Sequence, residues 1–180
     1  CFAPLAMTEA ERAKEAALRL IKFRPRSEQE LRKRLAQKRF AQPAIDTLLS
    51  RLKAKNLVND EKFSQYLVTG KLLGKPLGKR ALLQELSSKG VSESVAAQAV
   101  EQAYASTDEL EMAKGAALAR LPRLKGLTKQ AMERRLFGFL SRRGFTSEVI
   151  YKVTRELTHP STNPFVPSLS RDNGRFRASR

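Results

Sequence analysis

One block recurs three times along this chain, and it limits the possible folds more than any other feature. Its centre reads Lys38-Arg39-Phe40, then Lys89-Gly90-Val91, then Arg143-Gly144-Phe145, at offsets of 51 and 54 residues. Superposing the triplets brings Leu31, Leu82 and Leu136 to one position, Leu35, Leu86 and Leu140 to a second, and Ile45, Ala96 and Ile150 to a third. Each copy reads as an apolar-periodic helix, a short basic turn and a second apolar helix. Stacked repeats of this kind bury their apolar faces against one another and display one extended surface instead of one enclosed pocket. The repeat therefore tilts the functional question from catalysis toward binding.

Start and stop signals divide the chain further. Glu9 to Phe23 carries Ala13, Ala16, Ala17, Leu20 and Ile21 at helical spacing before Pro25 stops it. Ser27 with Glu30 predicts a capping box at the start of the second helix. Pro43 suits the first turn of a third helix, which Asn56 ends. Asn59 or Asp60 caps the fourth, the fifth spans approximately Leu77 to Lys89 with Gly90 as a left-handed C′ residue, and Ser92 caps the sixth. Thr107 or Asp108 opens the seventh, Pro122 lies near its end, and Thr128 and Thr146 cap the eighth and ninth. No segment alternates with period two. The expected fold is all-α: three tandem three-helix units, at 9–56, 57–106 and 107–158, forming an elongated curved array. Residues 159–180, rich in Pro, Ser and Arg without apolar periodicity, read as a disordered basic tail.

The 35 Lys and Arg outnumber the 18 Asp and Glu, for a net charge of +17 that favours an anionic partner. The surplus is localised. Residues 22–39 carry a net +6 through Lys22, Arg24, Arg26, Arg32, Lys33, Arg34, Lys38 and Arg39; residues 70–90 carry +4 through Lys71, Lys75, Lys79, Arg80 and Lys89. Residues 125–145 carry +5, with Arg134, Arg135, Arg142 and Arg143 prominent, whereas residues 92–113 carry −5. Each basic cluster centres on the middle helix of a unit. Any single Lys on such a helix solvates a surface, but recurrence at one repeat position would align the clusters along a ridge or groove.

Several chemistries lack their parts. Three Gly-Lys pairs at Gly70, Gly74 and Gly78 suggest a phosphate cradle, yet no Gly here has a second Gly five residues on, as a P-loop requires; a flexible joint around Pro76 fits better. His159 and Cys1 are the only histidine and cysteine, too few for the common Cys/His zinc sites, and His159 reads as isolated from any carboxylate. Asp60-Glu61 and Asp108-Glu109 coincide with helix starts and read as caps. Phe40 and Phe145 could stack bases, but their alignment with Val91 favours packing between helices. The last helix of each unit lacks the basic outer face of a helix-turn-helix reader. No catalytic residue, metal or cofactor is expected. No apolar run approaches the roughly 20 residues of a membrane span, and Cys1 to Met7 is too short for a secretory signal, so the cytoplasm is the expected compartment.

The ordered motifs resemble one family. Ala17-Leu18-Arg19-Leu20 leads to Arg26-Ser27 and Glu30-Leu31; Leu57-Val58-Asn59-Asp60 follows with Phe63; Leu77-Gly78 runs through Glu85-Leu86 to Lys89-Gly90-Val91; and Phe139-Leu140-Ser141-Arg142-Arg143-Gly144-Phe145 closes the series. Over approximately Ala16 to Leu157 the chain resembles RecX, the bacterial regulator of the RecA recombinase. The resemblance implies three tandem three-helix units and a monomeric protein of recombination and repair. Such a protein binds the RecA–DNA filament and suppresses its extension, ATP hydrolysis, strand exchange and coprotease activity. Ser27, Asn59, Asp60, Gly78, Gly90 and Gly144 then serve as caps and turns. Contact with RecA, or weak and salt-dependent contact with single- or double-stranded DNA, falls to the basic clusters: Arg24, Arg26, Arg32, Lys33, Lys38 and Arg39; Lys75, Lys79, Arg80 and Lys89; Arg134, Arg135, Arg142 and Arg143. Arg39, standing where the other copies have Gly, argues against a left-handed cap at the first turn. The alternative is a general DNA-binding or architectural protein that works by phosphate neutralisation alone.

Overall fold

The computed structural model describes residues 7–105 and 107–159, and the expected basic tail lies outside them except for His159. The described residues form nine α-helices and no strand: α1 (Glu9–Phe23), α2 (Glu28–Gln37), α3 (Gln42–Ala54), α4 (Asp60–Gly74), α5 (Lys79–Ser88), α6 (Glu93–Tyr104), α7 (Glu109–Arg120), α8 (Lys129–Arg142) and α9 (Ser147–Thr158), with a 3-10 turn at Leu121–Leu124. They group as α1–α3, α4–α6 and α7–α9, each group around its own apolar core. The repeat positions explain why. Leu31, Leu82, Leu136, Leu35, Leu86, Leu140 and Ile45 are fully buried, and Ala96 and Ile150 nearly so. Burying a leucine contributes about 1.5–3 kcal/mol, so these shared positions set the packing of every unit.

Each middle helix ends in the same way. At Arg39, Gly90 and Gly144 the backbone turns left-handed, with φ of 64°, 74° and 75°. The next residue, Phe40, Val91 or Phe145, donates its N–H back to the carbonyl of Leu35, Leu86 or Leu140, the longer bond of a Schellman motif. The apolar side chain at that position packs into the unit, with Phe145 and Val91 buried and Phe40 partly so. Arg39 thus corrects the expectation that the first turn lacks a left-handed cap. Asn56 ends α3 with φ of 54°.

Other local expectations shift. Ser27 accepts from the Glu30 N–H at 3.1 Å, but Arg24 and Arg26 hold the Glu30 carboxylate, so the reciprocal half of the box is replaced by ion pairs. A complete capping box forms instead at Thr8 and Glu11. Ser92 occupies the cap position of α6 without a side-chain bond to that helix's N–H groups. The Gly-Lys run is not one joint: Gly70 and Gly74 belong to α4, while Gly78 is buried at the N-cap of α5.

The units join through their middle helices. The N-terminus of α2 sits on the turn that ends α5, and the N-terminus of α5 sits on the turn that ends α8. At the first joint the Ser27 hydroxyl donates to the Lys89 carbonyl at 2.6 Å. A methyl added to Gly90 would fall 2.5 Å from Gln29 Cβ. At the second joint the Gly78 and Arg80 amides donate to the Arg143 and Gly144 carbonyls at 2.8 and 3.1 Å. A methyl on Gly144 would overlap the Ala81 amide and Cβ. The next unit also supplies a carboxylate to each docked N-terminus: Asp60 accepts from the Glu28 N–H at 2.9 Å, and Glu109 from the Lys79 N–H at 3.1 Å. Glu28 and Lys79 are equivalent in the repeat, so one linkage is used twice. Positive helix N-termini meet carboxylates and carbonyl-rich C-termini, a favourable dipole arrangement.

Candidate functional site

The sequence-predicted contact residues divide into those the fold uses and those it leaves available. Arg24 and Arg26 pair with Glu30, and Arg26 also donates to the Leu20 carbonyl at 3.0 Å. Arg32 bridges Asp46 and Glu28. Lys79 pairs with Glu101 at 2.9 Å and lies 5.5 Å from the Tyr104 ring centroid. Arg143 donates to the Pro76 carbonyl at 2.9 Å while its guanidinium lies 4.8 Å from the Phe139 ring. These cations tie helices together, and Arg143 ties the second unit to the third.

The remaining predicted residues have side chains without an ion-pair partner among the described residues. Lys33, Arg34, Lys38 and Arg39 are exposed on α2 and its turn, Lys75 and Arg80 flank the start of α5, and Arg134, Arg135 and Arg142 are exposed on α8. Lys89 is half-buried. Lys33, Arg34 and Lys89 converge on one groove of about 280 Å³ at the first joint, shared with Gln29, Glu30, Gln37 and Ser88. The groove exists because docking α2 onto the α5 turn brings cations of two units to one concavity. Lys38 lies in a separate groove beside Arg12, Arg19 and Phe23 of α1. Arg134 lines a third, between α8 and α9.

The surrounding charges are set by the joint. The Lys53 ammonium, followed by the Arg32 guanidinium, holds the Glu28 carboxyl below its ordinary value. Burial pushes Asp60 up despite the Glu28 N–H that it accepts. Burial also pushes the Tyr104 phenol up to about 12, with Glu109 adding to the effect, so it remains a donor to the Leu77 carbonyl.

Sequence reasoning missed the partners of His159. Its ring stands 3.8 Å from the Glu133 carboxylate and 3.0 Å from Lys129 Nζ, because α9 packs along α8 and its C-terminal end lies at the start of that helix. Reading His159 as isolated is therefore corrected. It missed also that Asp60 and Glu109 cap the preceding unit's helix; only the equivalence of Glu28 and Lys79 in the repeat could have signalled that role. Among the described residues no group of His, Cys, Asp and Glu is arranged to hold a metal, and no helix is long and apolar enough to cross a membrane.

Family models described as the first, second and third three-helix domains of RecX match residues 13–52, 59–100 and 107–154, in that order along the chain. The regulatory protein RecX of Amycolatopsis mediterranei is 36% identical over 146 residues, covering 81% of this chain and 83% of that protein. The protein of the same name from Chlorobium phaeobacteroides is 32% identical, covering 81% and 93%. The crystal structure of RecX from Lactobacillus salivarius superposes with a TM-score of 0.75 at 19% identity, covering 83% of this chain and 96% of the other, a likeness of fold.

Proposed function

This chain belongs to the RecX family of regulatory proteins, and from that membership we propose that it binds RecA filaments on DNA and restrains them. It would suppress filament extension and, with it, ATP hydrolysis, strand exchange and coprotease activity, acting as a cytoplasmic, non-catalytic monomer. The observation that carries this reading is the set of cations at the joints that have no ion-pair partner among the described residues. Lys33, Arg34 and Lys89 face one groove from two units, so an anionic partner lying along the array meets charge from adjacent units at once. Restraint by binding needs no reacting group, only an affinity that outlasts the partner's extension step.

RecA's DNA-dependent ATPase, measured with this protein added at substoichiometric amounts, tests the proposal. Inhibition at a small fraction of the RecA concentration supports it, and unchanged hydrolysis across salt concentrations opposes it. The +17 net charge favours a second reading, a general DNA binder that needs no RecA. Neutralising about six phosphates would give a log-log salt slope near −5 on duplex DNA. Equal affinity for naked and RecA-coated DNA would support that alternative.

A further inference from the structure

The groove between α8 and α9 departs from the repeat. It has a volume of about 360 Å³, and its lining includes Arg134, Phe137, Tyr151, Thr154 and Arg155. In the repeat, Phe137 aligns with Leu83 and Arg32, and Tyr151 with Ala97 and Asp46. The first unit closes this face with the Arg32–Asp46 ion pair. The second offers a leucine and an alanine. Only the third places two aromatic rings here, with centroids 5.5 Å apart and planes tilted by 58°.

Tyr151 is 65% exposed although its ring has a neighbour on one side. Arg134 and Arg155 are exposed without an ion-pair partner among the described residues, while the Glu133 carboxylate in the same lining is taken up by the Thr158 hydroxyl and His159. Thr154 takes the position held by Leu49 and Val100 in the other two units. It is 7% exposed, and its hydroxyl oxygen is buried with no hydrogen-bond partner among the described residues. A buried hydroxyl at a core position without a partner costs free energy that a valine in its place would not.

An open aromatic face beside two exposed guanidinium groups matches one class of ligand, a planar base carrying a phosphate. We propose that the α8–α9 groove seats one unpaired nucleotide, its base stacked on Tyr151 and its phosphate held by Arg134 and Arg155. The proposal rests on the reading of DNA as part of the partner. It adds that the third unit contacts an unpaired base, which phosphate neutralisation alone would not require.

The chain has no tryptophan, so Tyr151→Trp places a single fluorophore in the groove. The titrants are an oligo-dT strand, a duplex of equal length and thymidine monophosphate. Saturable quenching by the strand, with little by the duplex, is expected. Tyr151→Ala should weaken strand binding roughly tenfold by anisotropy. Thr154→Val should raise stability to urea and leave strand binding unchanged, because its hydroxyl is buried. Quenching by the mononucleotide at the same concentration of sites as by the strand would identify a free nucleotide as the ligand and retain the groove. Equal quenching by duplex and strand, or an unquenched tryptophan in a protein that still binds the strand, would overturn the proposal and leave the RecA reading standing. No binding to any titrant at low salt would overturn the groove. Failure to inhibit RecA, measured separately, would count against the parent reading.

Discussion

The Ser27 hydroxyl donates to the Lys89 carbonyl at 2.6 Å, so the start of one middle helix rests on the end of the next. Gly78, at the equivalent position 51 residues later, makes the same approach to the Arg143 and Gly144 backbone. The basic turns that recur along the chain are therefore sockets as well as charged surface. The Lys38-Arg39 turn is the exception, since no unit precedes it among the described residues. That difference explains why two turns carry glycine and the first carries arginine. At Gly90 and Gly144 a side chain would meet the docked helix, whereas Arg39 bears only the backbone cost of its φ of 64°.

Gly144→Ala should cost more than about 2 kcal/mol, because a left-handed alanine is strained and its methyl would overlap the Ala81 amide, which cannot rotate away. Arg39→Gly should instead stabilise by about 0.5–1 kcal/mol, because its turn is left-handed and unoccupied. Urea midpoints of the two variants check the contrast. Destabilisation by Arg39→Gly would contradict it.

Ser27→Ala should destabilise by about 1–2 kcal/mol, since it removes a cap and also leaves the Lys89 carbonyl without its donor. Ser92→Ala makes a control, because Ser92 donates no bond to another unit and caps none of its own helix's N–H groups. Equal losses in the two variants, read by denaturant unfolding, would remove the first joint from the account.

Arg142 and Arg143 are neighbours with different expected phenotypes. Arg142→Glu should weaken binding to DNA-bound RecA with unchanged thermal stability, because its side chain is exposed and has no ion-pair partner among the described residues. Arg143→Glu should lower stability by about 1–3 kcal/mol, as it breaks a bond to Pro76 and a cation–π contact with Phe139. Thermal melts alongside pull-down on immobilised filaments separate the two effects.

The Glu28 carboxyl titrates below its ordinary value of 4.5 because Lys53 and Arg32 hydrogen-bond its charged form. The folded state thus binds fewer protons there than the unfolded state as pH falls. The stabilisation is complete above about pH 4.5 and is lost as pH drops through the depressed folded value. Glu28→Gln should lower stability at neutral pH by about 1 kcal/mol or less, given the partial exposure of the pair, and should shrink that deficit in acid. Urea titrations at pH 7 and pH 3 measure both effects. A deficit that grows in acid would show that the sign is wrong.

The fold was legible because its decisive residues repeat: three leucine pairs at matching positions specify three cores, and Asn59, Thr128 and Thr146 each accept a first-turn amide as local chemistry requires. The joints were not legible, because a carboxylate at a helix start has its own N-terminus as the obvious partner. Asp60 and Glu109 bond instead to amides 32 and 30 residues earlier. The candidate surface was legible only as charge. Sequence marks Lys33 and Arg32 alike, but Arg32 meets Asp46 across the α2–α3 packing and Lys33 pairs with no carboxylate among the described residues, a distinction made by side-chain direction and not by residue type.

Binding to the filament itself is measured by co-sedimentation with RecA assembled on single-stranded DNA, in salt high enough to abolish binding to the naked strand. The protein should remain with the filament, and Lys33→Glu with Arg34→Glu and Lys89→Glu should release it without loss of helicity. Parallel loss of binding to filament and naked DNA as salt rises, or full retention of the charge-reversed protein, would contradict it.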